Sequence, residues 1–168
     1  MSMFLVVMGV AGCGKSSLGH ALAQAEGLQV IEGDDFHHEA SRNKMRSGIA
    51  LTDSDRDGWL QTLSAQLRCH PEGLLVTCSA LKRSYRDRLR SAASGLRFVF
   101  LDISREEAHA RVAARAPTHF FSATLVDSQF TTLERPDDEP DVLRVDAHQP
   151  IARLQQQVAA WLHSKGQA

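Results

Sequence analysis

Eight residues near the start, Gly9-Val10-Ala11-Gly12-Cys13-Gly14-Lys15-Ser16, constrain this chain more than any other feature. They follow an apolar run, Phe4–Met8, and precede apolar positions at helical spacing, Leu18, Ala21, Leu22 and Ala25. A glycine-rich turn between a buried strand and a helix start points backbone N–H groups inward, and the helix adds the positive end of its dipole. Such a turn fits an anion. The full G-x-x-x-x-G-K-S/T spacing narrows the anion to a nucleoside triphosphate, with Lys15 spanning the β and γ phosphates and Ser16 offering a hydroxyl to Mg2+. Nucleotide contacts are expected from Gly9, Ala11, Gly12, Cys13, Gly14, Lys15, Ser16 and Ser17. Because Cys13 lies beside Lys15 among inward N–H groups, the loop is expected to favour its thiolate.

Further short apolar runs occur at Val30–Ile31, Leu74–Cys78, Phe98–Leu101 and Val142–Val145, each bounded by Gly, Asp or Pro. Helix-period stretches lie between and after them: Trp59, Leu60, Leu63 and Leu67; Ala108 and Val112; Leu154, Val158, Trp161 and Leu162. Nearly continuous apolar strands alternating with helices predict a five-stranded parallel sheet covered on both faces, a three-layer α/β/α fold. Helix starts are expected after the acids Asp53, Asp55 and Asp57 and at Ser104, which has Glu107 at capping-box spacing. With 168 residues the chain has the length of one domain, 1–168. Two stretches break the alternation, His37–Thr52 and Ala116–Pro140, and are read as binding or lid segments.

Charge and cysteines exclude several classes. Lys plus Arg is 19 against 20 for Asp plus Glu, so the chain lacks the basic excess that nonspecific nucleic-acid binding needs. Cys13, Cys69 and Cys78 form no C-x-x-C pair, which argues against a disulfide framework or a zinc knuckle and for a reducing, cytoplasmic setting. The run Met3–Met8 is too short to span a membrane and has no basic leader.

Among phosphate-loop classes, Asp55-Arg56-Asp57-Gly58 has the form of a GTPase switch, but Asn43-Lys44-Met45-Arg46 lacks the acid of a guanine reader. Phe98–Asp102 has the form of a Walker-B strand, yet a strand-terminal Asp commonly just caps the following turn. Asp34 is more telling. It follows the second strand, and loops at the carboxyl ends of parallel strands share one crevice, so its carboxylate can approach the γ phosphate and accept a hydroxyl proton.

Several longer strings carry a resemblance: Gly33-Asp34-x-x-His37; Lys44-Met45-x-x-Gly48-x-x-Leu51-x-Asp53-x-Asp55-Arg56 with Trp59-Leu60; Cys78-Ser79-Ala80-Leu81-Lys82 with Tyr85-Arg86-Asp87; and His119-Phe120 with Ser128-Gln129-Phe130-x-Thr132-Leu133-Glu134-x-Pro136. Together they resemble the gluconokinase family over nearly the whole chain. The resemblance implies a small phosphate-loop kinase, similar to shikimate kinase, that transfers phosphate from ATP, with Mg2+, to the 6-hydroxyl of D-gluconate. It implies homodimerisation as one assembly open to the chain, while the breaks in the alternation and the need to exclude water are read as a substrate-binding insertion at about 36–60 and a mobile lid at about 116–136. The sequence departs from the family's pattern at His38 and Ser41, and around Arg115–His119 a short Arg-Lys-Gly-His form is lengthened and loses its lysine.

Gluconate is an anionic polyol, so its site needs cations for the carboxylate and hydrogen-bonding groups for the hydroxyls. Arg56, Lys82 and Arg86 are the candidate cations and His37 a hydroxyl partner. Resemblance to related kinases implies that Arg111 covers adenine and that Arg115 reaches the phosphates, making Lys15, Asp34 and Arg115 the catalytic set. A kinase of another small hydroxy acid such as shikimate is the same-class alternative. A nucleotide-binding regulator without transferase activity would need neither Asp34 nor the substrate arginines.

Overall fold

The computed structural model describes residues 2–115 and 123–164. Strands β1 (Met3–Met8), β2 (Val30–Glu32), β3 (Gly73–Thr77), β4 (Arg97–Asp102) and β5 (Val142–Asp146) form one sheet, paired in parallel throughout in the order β2-β3-β1-β4-β5. Helices α1 (Lys15–Glu26), α2 (Glu39–Arg46), α3 (Asp53–Cys69), α4 (Arg83–Arg90), α5 (Arg105–Arg115), α6 (Ala123–Thr132) and α7 (Ile151–Ser164) complete it, with a 3-10 turn at Gly33–Phe36.

The strand pleat sends alternate residues of β1 to opposite faces. Leu5 and Val7 join a core with Leu18 and Leu22 of α1 and Leu154, Val158 and Leu162 of α7. Val6 and Met8 join a second with Trp59, Leu63 and Leu67 of α3 and Leu89 of α4. These two cores, one on each face of the sheet, join the three layers that the alternation predicts. Among the described residues no helix is long and apolar enough to cross a membrane.

Local chemistry sets the helix starts. Gly14 caps α1 at φ 97°, a left-handed conformation that glycine adopts without strain. Thr52 caps α3 in a reciprocal capping box: its hydroxyl accepts from the Asp55 N–H at 3.1 Å, and the Asp55 carboxylate accepts from the Thr52 N–H at 2.9 Å. At α5 the Ser104 hydroxyl accepts from the Glu107 N–H at 3.2 Å.

The two irregular stretches hold helices that the apolar pattern did not reveal. Helix α2 buries only Ser41 and Met45, too little for an apolar stripe. Helix α6 lies inside the expected lid, 116–136, of which residues 116–122, with His119 and Phe120, lie outside the described residues. Met45, Leu51 and Leu125 form a third small core that packs the insertion against α6.

Arg86 needs a correction at this level. Its side chain on α4 is fully buried. Nε and Nη2 donate to the Glu139 carboxylate at 2.5–3.1 Å, Nη1 to the carbonyls of Ala80 and Leu81, and Nη2 to the carbonyl of Glu134 at 2.7 Å. It ties α4 to the chain leaving α6 and takes no part in lining a binding cleft. Burial works against the Glu139 carboxylate, but Arg86 and Arg90 outweigh it and hold that group below its usual range. Removing one partner of a buried pair leaves an uncompensated charge, so Arg86→Ala is expected to cost about 3–5 kcal/mol in urea unfolding. An unchanged midpoint would show that the network carries no stability.

Candidate active site

The carboxyl ends of β1, β2 and β3 open on one cleft. One wall is the phosphate loop, with Ala11, Gly12, Gly14, Lys15, Ser16 and Ser17. The floor carries Glu32, Asp34, Thr77 and Ser79. The insertion supplies His37, Met45, Ala50, Leu51 and Arg56, and the far side Val112, Arg115, Leu125, Ser128 and Gln129.

Gly33 brings the acids to the floor. A Cβ there would lie 2.5 Å from the Thr77 carbonyl oxygen and 2.7 Å from the Cys78 Cβ, so only glycine lets the turn after β2 lie flat on the end of β3. Trp59 fixes the turn by donating Nε1–H to the Gly33 carbonyl at 2.7 Å. Asp34, with 73% of its side chain exposed, then faces the same cleft as Lys15 and Ser16. His37 stacks on Trp59 at 4.5 Å between ring centroids, with Nε2 3.8 Å from Asp34 Oδ1.

The loop side chains are held by neighbours. Lys15 Nζ donates to the Val10 carbonyl at 3.0 Å, and the Ser16 hydroxyl donates to Glu32 at 2.9 Å. Glu32 also accepts from the Thr77 hydroxyl and lies 3.0 Å from His20 Nε2. The Ala11 N–H donates to Gln129 Oε1 at 2.8 Å.

Arg56 is buried, and its hydrogen bonds among the described residues are made by Nη1, to the Leu51 carbonyl at 2.9 Å and the Tyr85 hydroxyl at 3.4 Å. The Tyr85 hydroxyl donates to Asp53, which also accepts from Lys82 at 2.9 and 3.0 Å. The bond from Tyr85, then that from Lys82, holds the Asp53 carboxyl below its usual range. This chain of contacts aims one side of the Arg56 guanidinium and leaves the rest to the cleft.

Of the residues singled out from the sequence, Gly9, Cys13, Lys82, Arg86 and Arg111 do not line the cleft. A Cβ at Gly9 would fall 2.7 Å from Cys13 Sγ, so that position serves the loop's packing. Lys82 faces Asp53, and Arg86 is the buried tie described above. Arg111 donates Nη2–H to the Ala147 carbonyl at 3.0 Å and Nε–H to Glu107 at 3.1 Å, bridging α5 to the turn after β5. Cys13 corrects the thiolate expectation: it is buried in the core under the loop, and burial raises its thiol despite the opposing pull of Lys15.

Residues 4–136 match a family described as an AAA domain. The thermosensitive gluconokinase of Escherichia coli (strain K12) is 40% identical over 156 residues, covering 90% of this chain and 83% of that protein. The gluconokinase of Gluconobacter oxydans (strain 621H) is 44% identical over 145 residues, covering 84% and 81%. The crystal structure of a gluconokinase from Sinorhizobium meliloti 1021 superposes with TM-score 0.85 at 42% identity, over 97% of both chains. The chain belongs to the gluconokinase family.

Much of the gluconokinase signature builds the corner that presents Arg56. Lys44 binds both oxygens of Asp55 at 2.8 and 2.9 Å, and this bond, together with the Thr52 N–H, pushes the Asp55 carboxyl down to about 2. Met45 and Leu51 dock on Leu125, and the Leu51 carbonyl holds Arg56. Sequence reasoning passed over Glu32 and Gln129. An acid ending a short strand has no signature of its own, and Gln129 was visible only as a letter in a longer string.

Two measurements check these environments. Iodoacetamide at neutral pH is expected to label native Cys69, which is exposed, and to spare Cys13 and Cys78, the latter pushed up to about 12 by burial; mass spectrometry reads the site. Fast labelling of Cys13 would refute its buried state. Burial also pulls His37 below the ordinary 6.5, although Asp34 pulls the other way. The unfolded chain therefore binds this proton first, and the stability from neutral His37 is present above 6.5 and lost as pH falls below it. His37→Phe, which keeps a ring on Trp59, should lose less stability than the parent between about pH 7 and about pH 5.5. Identical losses would remove His37 as the cause.

Proposed function

We propose that this chain transfers the γ-phosphoryl group of ATP to the 6-hydroxyl of D-gluconate, giving 6-phospho-D-gluconate and ADP. The observation that carries this reading is one cleft holding the phosphate loop, the Asp34 carboxylate and the aimed guanidinium of Arg56, in a chain about 40% identical to gluconokinases over most of its length. The Arg56 fork suits the substrate carboxylate, and His37 lines the cleft near Asp34 as a partner for a hydroxyl.

In this reading Asp34 accepts the proton of the 6-hydroxyl as that oxygen forms its bond to the γ phosphorus. The bond from phosphorus to the β–γ bridging oxygen breaks, and its electron pair leaves on ADP. Lys15 exchanges the Val10 carbonyl for phosphate oxygens, and Arg115, on the cleft wall, offsets charge on the moving group. Arg111, held at Ala147, borders the adenine side. Lys82 acts through Asp53 and Tyr85 to hold Arg56. In the same reading the insertion, 36–60, and the described part of the expected lid, 123–136, close over the substrates and exclude water.

Among the described residues no group of three or more His, Cys, Asp or Glu could hold a metal. The Ser16 hydroxyl with Glu32 behind it is an oxygen pair of the hard type that Mg2+ takes when it arrives with nucleotide phosphates. Held there by the Ser16 hydroxyl, Mg2+ would supply a hard positive charge that lowers the cost of the negative charge building up during transfer.

A coupled assay of ADP release should give turnover with D-gluconate far above that with shikimate or other sugar acids. Asp34→Asn should lower kcat by about 10²–10⁴-fold with ATP affinity nearly unchanged. Near-parental turnover of that variant would rule out the proton-accepting role.

A further inference from the structure

Resting on that reading, we infer that Gln129 is a catalytic residue, donating a hydrogen bond from Nε2 to the γ-phosphoryl group while Oε1 stays on the phosphate loop.

Gln129 reaches the loop from α6, 118 positions away in sequence. The Ala11 N–H can only donate, so the carboxamide oxygen must be the atom facing it, which fixes the amide's orientation. The NH2 group then lies on the other branch of the same plane, beside the loop. Among the described residues Nε2 makes no hydrogen bond, and Gln129 is part of the cleft lining, so its donors are available to a ligand seated beside the loop. Lys15, four residues beyond Ala11, rests on the Val10 carbonyl, so both side chains are parked at the entry of the loop.

The helix carrying Gln129 is anchored at both ends. Leu125 packs on Met45 and Leu51, and Val126 is fully buried. Past the helix, the Glu134 N–H donates to Leu81 at 2.8 Å, its carboxylate accepts from the Arg83 N–H at 3.0 Å, and its carbonyl accepts from Arg86. A side chain on so fixed a base can stay in place while a phosphate arrives. Residue chemistry narrows the role further. A carboxamide offers an acceptor to the loop N–H and donors to an anion, whereas glutamate offers acceptors alone and an apolar side chain offers neither.

The experiment compares Gln129→Glu and Gln129→Met with the parent. Glutamate keeps the acceptor for Ala11 but loses the donors and adds a charge that itself repels phosphate, whereas methionine adds none, so a loss of analogue over ADP affinity shared by both variants belongs to the missing donors. Both variants are first checked for parental thermal melting, and Gln129→Met serves if Gln129→Glu does not fold. Calorimetry with ADP and with a non-hydrolysable ATP analogue reads the contact without gluconate. The expected result for Gln129→Glu is ADP affinity within about threefold of the parent, analogue affinity down by about tenfold or more, and kcat down by about 10²-fold with the gluconate KM little changed. Gln129→Met should show the same order with smaller losses. A parental ratio of analogue to ADP affinity, or tighter analogue binding in Gln129→Met, would overturn the proposal, the latter by showing that the nucleotide displaces the side chain. If the parent does not phosphorylate gluconate, the substrate reading fails while the affinity ratio still decides the role of Gln129.

Discussion

A turn lined with inward N–H groups cannot remain without acceptors, and most of this structure can be understood as the frame that holds such a turn open. The loop leaves β1, which sits between β3 and β4 in the middle of the sheet. Helix α5 presses on it from one side: a Cβ at Gly12 would lie 3.1 Å from both the Ala108 carbonyl oxygen and a Val112 methyl. Helix α6 supplies Gln129 to the Ala11 N–H, and Lys15 bends onto the Val10 carbonyl. The loop is therefore pre-shaped by packing, and Lys15 need only exchange the Val10 carbonyl for an anion. That exchange is cheaper than folding a loop around the ligand, because the ordering entropy is already spent.

The acids below the loop are governed by the same frame. Glu32 gathers the hydroxyls of Ser16 and Thr77, from α1 and β3, so the end of β2 is tied to both neighbours. Two residues later Asp34 carries no comparable set of donors and keeps most of its side chain in solvent. One strand end thus yields two carboxylates in different settings, one held among hydroxyl groups and one left open to the cleft. Near the other strand ends, Asp102 resembles a metal-binding acid in sequence but is occupied by Arg135 and Arg144 at 2.6–3.1 Å.

The layers were legible because a parallel sheet buried on both faces writes each strand as a short apolar run, and all five runs lie within a residue or two of the observed strands. Helices with little apolar surface were not. Helix α2 is short and polar, and its place is set by Met45 and the Lys44–Asp55 pair rather than by periodicity. Charge was the least legible property. Within Arg83–Arg90 the letters give no hint that Arg86 lies in the interior, while Arg88 pairs with Asp57 at the surface and Arg90 lies over Phe98. Sequence reports that a guanidinium exists; burial decides whether it is a ligand or a strut. Cys13 failed for a related reason, since the cost of desolvating a thiolate exceeds the help of one nearby ammonium.

Helix α6 touches the two halves of the cleft through different kinds of contact. Leu125 meets Met45 and Leu51, the second of which holds Arg56 through its carbonyl, while Gln129, one turn further on, meets the phosphate loop. Apolar packing of that kind tolerates small rotations, whereas a 2.8 Å hydrogen bond loses strength within a few tenths of an ångström. The helix can therefore adjust on the Met45 and Leu51 side only as far as the loop contact permits. Any ligand that shifts α6 on one side must work against the contacts on the other, and linkage makes that influence equal in both directions. The arrangement ties the Arg56 corner to the phosphate loop through one helix, without requiring the sheet beneath them to move.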